Sequence, residues 1–329
     1  RRRIVFWDER VGIEYDADLA ALGFDARVNN SDGASLSTRI GQLALANSYG
    51  FEGSYPATSI SLMVEAIADD ADGKKRNGYW YSAERSLHRL MDPEEIGRIA
   101  ARRTIDQLGA RKIATRQSPV VFEPMMTVAL MGDLVGCATG SALYRGATFL
   151  ASRAGKALGS PLVNISDDPS RPGGLGSRPF DGEGVGARRN DIFRQGVFSG
   201  FLFDCYTARR TGNSTTGSAQ RGIESLPAPG ASTLIFEAGN SEPGSIIAGV
   251  TEGLYLTTLM GNGFNPTTGD YSRGAAGFWI QDGKLAYPVS EVNISGQMDS
   301  MLAGVDAVGD DLASFGSSSA PTIRIREMT

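Results

Sequence analysis

Residues suited to nucleophilic, acid–base or metal chemistry are scarce in this chain. It holds one histidine, His88, and two cysteines, Cys137 and Cys205. A zinc site takes three or four ligands drawn mainly from His and Cys, so one could be built here only by committing all of these residues or by leaning on carboxylates. A Ser-His-Asp or Cys-His arrangement would need His88 as its base. That residue sits in the polar run Glu84-Arg85-Ser86-Leu87-His88-Arg89, which reads as an exposed helical stretch. Phosphate-binding loops fail as well: Gly155-Lys156 is followed by Ala157, and Leu150 stands where the first glycine of a P-loop belongs. Gly261-Asn262-Gly263 lacks the later glycine of a dinucleotide fingerprint.

Carboxylate pairs remain. Asp167-Asp168-Pro169, Asp181/Glu183 and Asp310-Asp311 could each supply an acid and a base, but adjacent acids before Pro or Gly are commonly turn formers and helix caps. Asp181 and Glu183 are the more promising candidates for touching a ligand, since they lie in a glycine-rich loop over residues 172–186 followed by Arg188 and Arg189. The run Asp69-Asp70-Ala71-Asp72-Gly73-Lys74-Lys75 reads as a solvated hairpin turn rather than a metal or phosphate loop.

Composition narrows the partners. With 32 Lys+Arg against 37 Asp+Glu the net charge is −5, and the signs are mixed throughout, so the field that draws nucleic acid is missing. No apolar stretch approaches the ~20 residues of a membrane-spanning helix. Two cysteines in 329 residues fit a reducing compartment, and no signal-peptide pattern opens the chain, which gives a cytoplasmic expectation. The first residue is Arg1 rather than Met, which reads as a processed or partial chain.

The elements that would position these residues are α+β in pattern. Residues 34–46 follow an Asn30-Ser31-Asp32-Gly33 turn. Ile60, Leu62, Val64 and Ala66 alternate with polar neighbours at the period of a half-buried strand, and residues 77–82 form a third strand candidate. Asp92 and Pro93 open a helix whose apolar residues repeat to Leu108 before Gly109. Residues 110–118 read as a linker, which puts the boundary between domains 1–112 and 113–329. Beyond it come a strand at 119–122 and a helix over 125–143, in which Gly132, Gly136 and Gly140 fall on one face. Glycine in a helix costs about 1 kcal/mol relative to alanine, so this stripe predicts the close approach of another backbone. Hairpins are expected at 192–204 about Gln195-Gly196 and at 277–289 about Asp282-Gly283, with strands at 232–237 and 253–260, a last helix at 297–308 and a closing strand at 322–326.

The run Gly269-Asp270-Tyr271-Ser272-Arg273-Gly274-Ala275-Ala276-Gly277-Phe278-Trp279-Ile280, with Ala286-Tyr287-Pro288-Val289-Ser290-Glu291-Val292 beyond it, closely resembles the C-terminal signature of the TldD/PmbA family, and of its TldE (PmbA) branch in particular. Gly140-Ser141-Ala142-Leu143-Tyr144-Arg145, Pro179-Phe180-Asp181-Gly182-Glu183-Gly184-Val185 and Asn47-Ser48-Tyr49-Gly50-Phe51-Glu52-Gly53 also match, so the resemblance covers nearly all of the chain from about residue 25. It implies an N-terminal α/β domain, incomplete here at its start, followed by a larger β-rich, mostly antiparallel C-terminal domain with a few covering helices.

For the TldD branch the resemblance implies a zinc peptidase with a His-Glu-x-x-x-His helix and a later cysteine ligand. Aligned on Gly140 and Arg145, the two histidines fall on Met131 and Gly136 and the glutamate on Gly132, while no cysteine follows Cys205. A thioether and two glycines cannot hold Zn²⁺. The resemblance therefore implies a chain with no metal or catalytic residue of its own, the degenerate positions Met131, Gly132 and Gly136 serving as a packing face. Such a subunit would pair with a zinc-bearing TldD-type paralogue, or with itself when alone, to enclose unfolded peptides for proteolysis. Tyr144, Arg145, Asp181, Glu183, Asp270, Tyr271 and Arg273 are the candidate cavity or interface residues, Arg273 forming an ion pair with Asp270 or another acid. Two alternatives are a self-sufficient hydrolase built on Asp181, Glu183, Asp270 and Arg273, and a peptide-binding homodimer. Modulation of DNA gyrase survives mainly in the family's older name, since the acidic charge argues against direct DNA contact.

Overall fold

The computed structural model describes residues 9–71 and 73–329. Asp72 of the charged hairpin and the residues around Arg1 lie outside the described residues. The fold is α+β with mostly antiparallel sheets, in two compact units: Arg1–Leu43 with Pro56–Ala110, and Ala44–Tyr55 with Arg111–Thr329. Among the described residues no helix is long and apolar enough to cross a membrane.

In the first unit, strands β1 (Val28–Ala46), β2 (Glu52–Asp69) and β3 (Lys75–Glu84) form a sheet in that order, joined by helices α1 (Glu9–Leu22) and α2 (Pro93–Ile105). The alternation read from β2 is the burial pattern: Leu62, Val64 and Ala66 are buried with Ala17, Ala21, Ile96 and Ala100, while Met63 faces out. Asp92 caps α2 by accepting from the Glu95 N–H at 3.2 Å. At Gly97 a Cβ would strike the Ala17 carbonyl, so the two helices meet backbone to backbone. The turn expected at Asn30–Gly33 is instead part of β1. Gly33 takes φ +96° there, and its N–H bonds the Ser31 hydroxyl, so the strand kinks without reversing. The charged turn does join β2 to β3, pairing Asp69 with Lys75, and Asp70 accepts from Arg76 Nε at 2.7 Å.

The second unit contains two six-stranded sheets. One runs in the order β13 (Lys284–Gln297), β12 (Asp270–Gln281), β11 (Glu252–Met260), β4 (Ser118–Phe122), β17 (Ile323–Met328) and β14 (Val305–Val308). The other runs β15 (Ala313–Phe315), β16 (Ser318–Ala320), β10 (Leu234–Phe236), β5 (Ile165–Asp167), β6 (Asn190–Arg194) and β7 (Val197–Phe198). In these two sheets, β11 pairs with β4 and β10 with β16 in parallel, and the other strand pairs among the described residues are antiparallel. A short pair, β8 (Ala219–Gln220) and β9 (Ala228–Pro229), completes the strands, and helices α3 (Pro124–Cys137), α4 (Gly140–Tyr144), α5 (Cys205–Arg210), α6 (Pro243–Ala248) and α7 (Met298–Ala303) connect them. Leu130, Met131 and Leu134 of α3 share an apolar interior with Ile165 and Phe236 of one sheet and Ile323 and Ile325 of the other.

Both hairpin turns form as the dipeptides predict. Gln195-Gly196 and Asp282-Gly283 take positive φ at both central residues, the twist that flanking strands require. Two helix expectations need correction. The helix over 125–143 breaks at Ala138, whose carbonyl accepts from the Leu202 N–H at 2.8 Å, and Thr139 then caps α4 by accepting from the Ala142 N–H. The last helix stops at Ala303 with Gly304 as its C-cap, and the chain returns as β14. The hairpin expected at 277–289 is longer than its pattern suggests, since β12 already begins at Asp270.

Candidate functional site

Helix α3 carries the positions at which the resemblance places metal ligands. Met131 is 2% exposed and points into the apolar interior, whereas Gly132 and Gly136 are exposed, and a Cβ on either would meet nothing within 4 Å. The three positions therefore do not converge, and the packing expected against the stripe is found only at Gly140, where a Cβ would collide with Thr207 and Phe203. Between the bare glycines, Asp133 meets Arg273 of β12 at 3.2 Å. Burial raises the Asp133 carboxyl, and the Arg273 charge opposes it. Asp270 is not the partner of Arg273; it bonds the Gln297 amide and the Thr268 hydroxyl. Tyr271 is 1% exposed, its phenol pushed up by burial. Cys137 is buried, its thiol pushed up to about 12, first by burial and then by Asp133.

This donor set does not fit zinc. Two of the aligned positions have no side chain, the third is a thioether facing the core, and the nearby thiol resists ionisation. Among the described residues no three His, Cys, Asp or Glu side chains converge as a metal site.

A cavity of about 450 Å³ lies nearby in sequence, lined by α4, α5, Glu183 and Leu226-Pro227. Two caps set its walls. Thr139 opens α4, and Asp204, buried, opens α5 by accepting from the Thr207 N–H at 2.7 Å and from the Thr207 hydroxyl. With Gly140 against Thr207, the two short helices touch closely enough for the Tyr144 and Tyr206 rings to meet edge to face at 6.1 Å. Arg210 fixes Tyr144: its guanidinium carbon lies 5.0 Å from the ring centroid, and its Nη2 donates to the phenol oxygen at 2.6 Å, which lowers the phenol pKa.

The Asp181–Val185 loop supplies the acidic wall. Asp181 is buried and accepts from the N–H groups of Glu183, Val185 and Ala219 at 2.9–3.0 Å, so its carboxylate holds the loop together rather than facing a ligand. Glu183 lines the cavity and accepts from the Cys205 N–H at 2.7 Å. Burial and then Glu183 push the Cys205 thiol up to about 11. Residues 44–55 brace this loop from behind: the Phe51 and Tyr55 rings pack edge-on to Phe180 at 4.9 and 5.2 Å, and the Asn47 amide donates to the Glu183 carbonyl at 3.3 Å.

Of the residues singled out from the sequence, Tyr144, Arg145 and Glu183 come together in this cavity. Asp181 lies behind it, and Asp270, Tyr271 and Arg273 belong to β12. The four residues of the alternative carboxylate site each have other partners: Asp181 and Glu183 bond backbone N–H groups, Asp270 bonds Gln297 and Thr268, and Arg273 pairs with Asp133. His88 is exposed in a single 3₁₀ turn. Sequence reasoning missed Asp133, Asp204, Tyr206, Arg210 and Leu226. Asp204 alone has a readable signal, a capping Asp three residues before Thr207, obscured by the hairpin pattern of residues 192–204.

Residues 8–108 match the model of the PmbA/TldA metallopeptidase central domain and residues 115–329 that of its C-terminal domain. The chain is 36% identical over 321 residues to Metalloprotease PmbA of Escherichia coli O157:H7, covering 98% of this chain and 69% of that protein. It is 33% identical over 309 residues to a Metalloprotease PmbA homolog of Haemophilus influenzae, covering 93% and 66%. It thus spans about two thirds of the length of these relatives. A Thermotoga maritima protein described as a modulator of a DNA gyrase superposes with a TM-score of 0.90 at 27% identity, covering 97% of this chain and 73% of that one. TldE from Thermococcus kodakarensis shares the fold, with a TM-score of 0.87 at 23% identity over 97% of this chain and 73% of its own. With both halves matched in order, this chain belongs to the PmbA/TldD metallopeptidase family.

Proposed function

We propose that the chain is the non-catalytic, TldE/PmbA-like subunit of a cytoplasmic TldD/TldE-type metallopeptidase complex. In this reading it pairs with a TldD-type paralogue that holds the zinc, and the two together enclose unfolded peptides for proteolysis; alone, it forms a homodimer. The observation that carries the reading is the outer face of α3. Gly132 and Gly136 leave it bare and exposed at the positions aligned with the glutamate and the second histidine, while Met125, Met126, Leu130, Met131 and Leu134 of the same helix are buried. A helix face that accepts a glycine penalty of about 1 kcal/mol per residue without an internal neighbour suits close approach by another chain. Obligate interfaces of this kind bury about 2,000 Å² or more.

Co-expression with a paralogue carrying His-Glu-x-x-x-His tests the reading. We expect a stable complex by size exclusion with light scattering, zinc stoichiometric with the paralogue alone, and peptidase activity only in the complex. Gly136→Trp should not lower the melting temperature of the isolated chain and should weaken the complex. About one zinc per isolated chain, lost on chelation together with peptidase activity, would sink the assignment; so would indifference to the paralogue at micromolar concentration.

A further inference from the structure

Charges around the α4–α5 cavity are unevenly committed. Asp204 is spent on the α5 cap, Glu183 holds the Cys205 N–H, and Arg210 holds Tyr144. Arg145 closes α4 with its backbone N–H, but its guanidinium, exposed on the cavity lining, makes no hydrogen bond or ion pair among the described residues. The same lining carries apolar surface: the Tyr144 and Tyr206 rings, Pro227, and Leu226, which is left 88% exposed. The cavity's about 450 Å³ is within the range of small-ligand sites, enough for a terminal residue or two. Since Tyr144 is already clamped by Arg210, little side-chain order must be imposed on binding.

An uncommitted guanidinium on the lining of a partly apolar cleft selects an anion attached to an apolar body, and the Glu183 carboxylate on the same lining repels a ligand carboxylate placed against it, so the anion is directed to Arg145. We propose that this cavity receives the carboxyl terminus of an apolar peptide. Its α-carboxylate pairs with Arg145, its last side chain lies against Tyr144, Tyr206, Leu226 and Pro227, and the Ser141 hydroxyl on the same lining is available to the terminal amide. The peptide identity of the ligand rests on the function proposed above; the demand for an apolar anion rests on the cavity itself.

The test is calorimetric titration of the purified chain with N-acetyl-Ala-Ala-Ala-Leu as the free acid and as the C-terminal amide, with octanoate as a third ligand. We expect the acid to bind about tenfold or more tighter than the amide, the size of effect that a charge-assisted hydrogen bond confers. Arg145→Gln should abolish that preference and Arg145→Lys retain part of it. Because the Arg145 side chain is exposed and unbonded among the described residues, both variants should melt with the parent. Equal binding of acid and amide, binding of neither, a preference that survives Arg145→Gln, or octanoate binding as tightly as the peptide acid would each overturn the proposal. Failure here with the paralogue complex intact discards only the terminus receptor. An acid preference without any paralogue complex discards only the subunit assignment.

Discussion

The outer face of α3 and the junction of α4 with α5 are built from one glycine repeat, yet the repeat serves opposite ends in the two places. At Gly132 and Gly136 nothing lies within 4 Å of a would-be Cβ, so the absence of a side chain creates bare surface. At Gly140 the same absence lets Thr207 and Phe203 press against the backbone and brings Tyr144 to Tyr206. Identical residues at identical spacing thus mark a surface open to another chain in one place and an internal joint in the other. What separates them is which distant segment arrives, not anything in the local pattern.

The comparison can be broken most forcefully at the loop that closes the α4–α5 region. Asp181→Ala would strand three N–H groups around a buried site, and we expect a loss of about 3–5 kcal/mol in urea unfolding. A loss below 1 kcal/mol would mean that the loop closes without its carboxylate. Next, Gly140→Val should cost about 2–3 kcal/mol by overpacking against Thr207 and Phe203. Retention of parental stability by that variant would dissolve the distinction between the two regions.

On the α3 side the expected effects are smaller and change sign. Arg273→Ala should cost about 1–2 kcal/mol, because Asp133, its side chain 29% exposed, loses its ion-pair partner. The thermal melt of Asp133→Asn/Arg273→Ala should fall by less than the two single changes combined. Smallest of all, Gly132→Ala and Gly136→Ala should each stabilise the isolated chain by about 0.5–1 kcal/mol, the helix-propensity gain at an exposed site. Destabilisation by either would show that something in the chain already occupies that face.

Legibility in the sequence followed the range of the interactions. The alternation of β2, the Asp92-Pro93 start of α2 and the Gln195-Gly196 and Asp282-Gly283 turns depend on neighbours a few residues apart, and all were readable. The break at Ala138 was not, because the helical pattern runs straight through it and the competing donor is Leu202 N. For the same reason the glycine stripe read as uniform packing. Tyr144, Arg145 and Glu183 were found through the family's motifs, but the residues that orient them, Arg210 and Asp204, sit on a six-residue helix too short to leave a period. Arg273 reads as an ion-pair former, but its partner Asp133 lies 140 positions away.

Residues 44–55 belong with the second unit although the strands on either side of them continue into the first. In kinetic terms, the loop carrying Asp181 and Glu183 is finished by a segment synthesised long before it: the bond from Asn47 to the Glu183 carbonyl spans 136 positions. Closing so long a loop is entropically uphill until the Phe51 and Phe180 rings meet. The cavity's acidic wall therefore takes its shape only once that distant contact has formed. A polypeptide started at Arg111 would hold every residue of the cavity lining and lack the brace that shapes it.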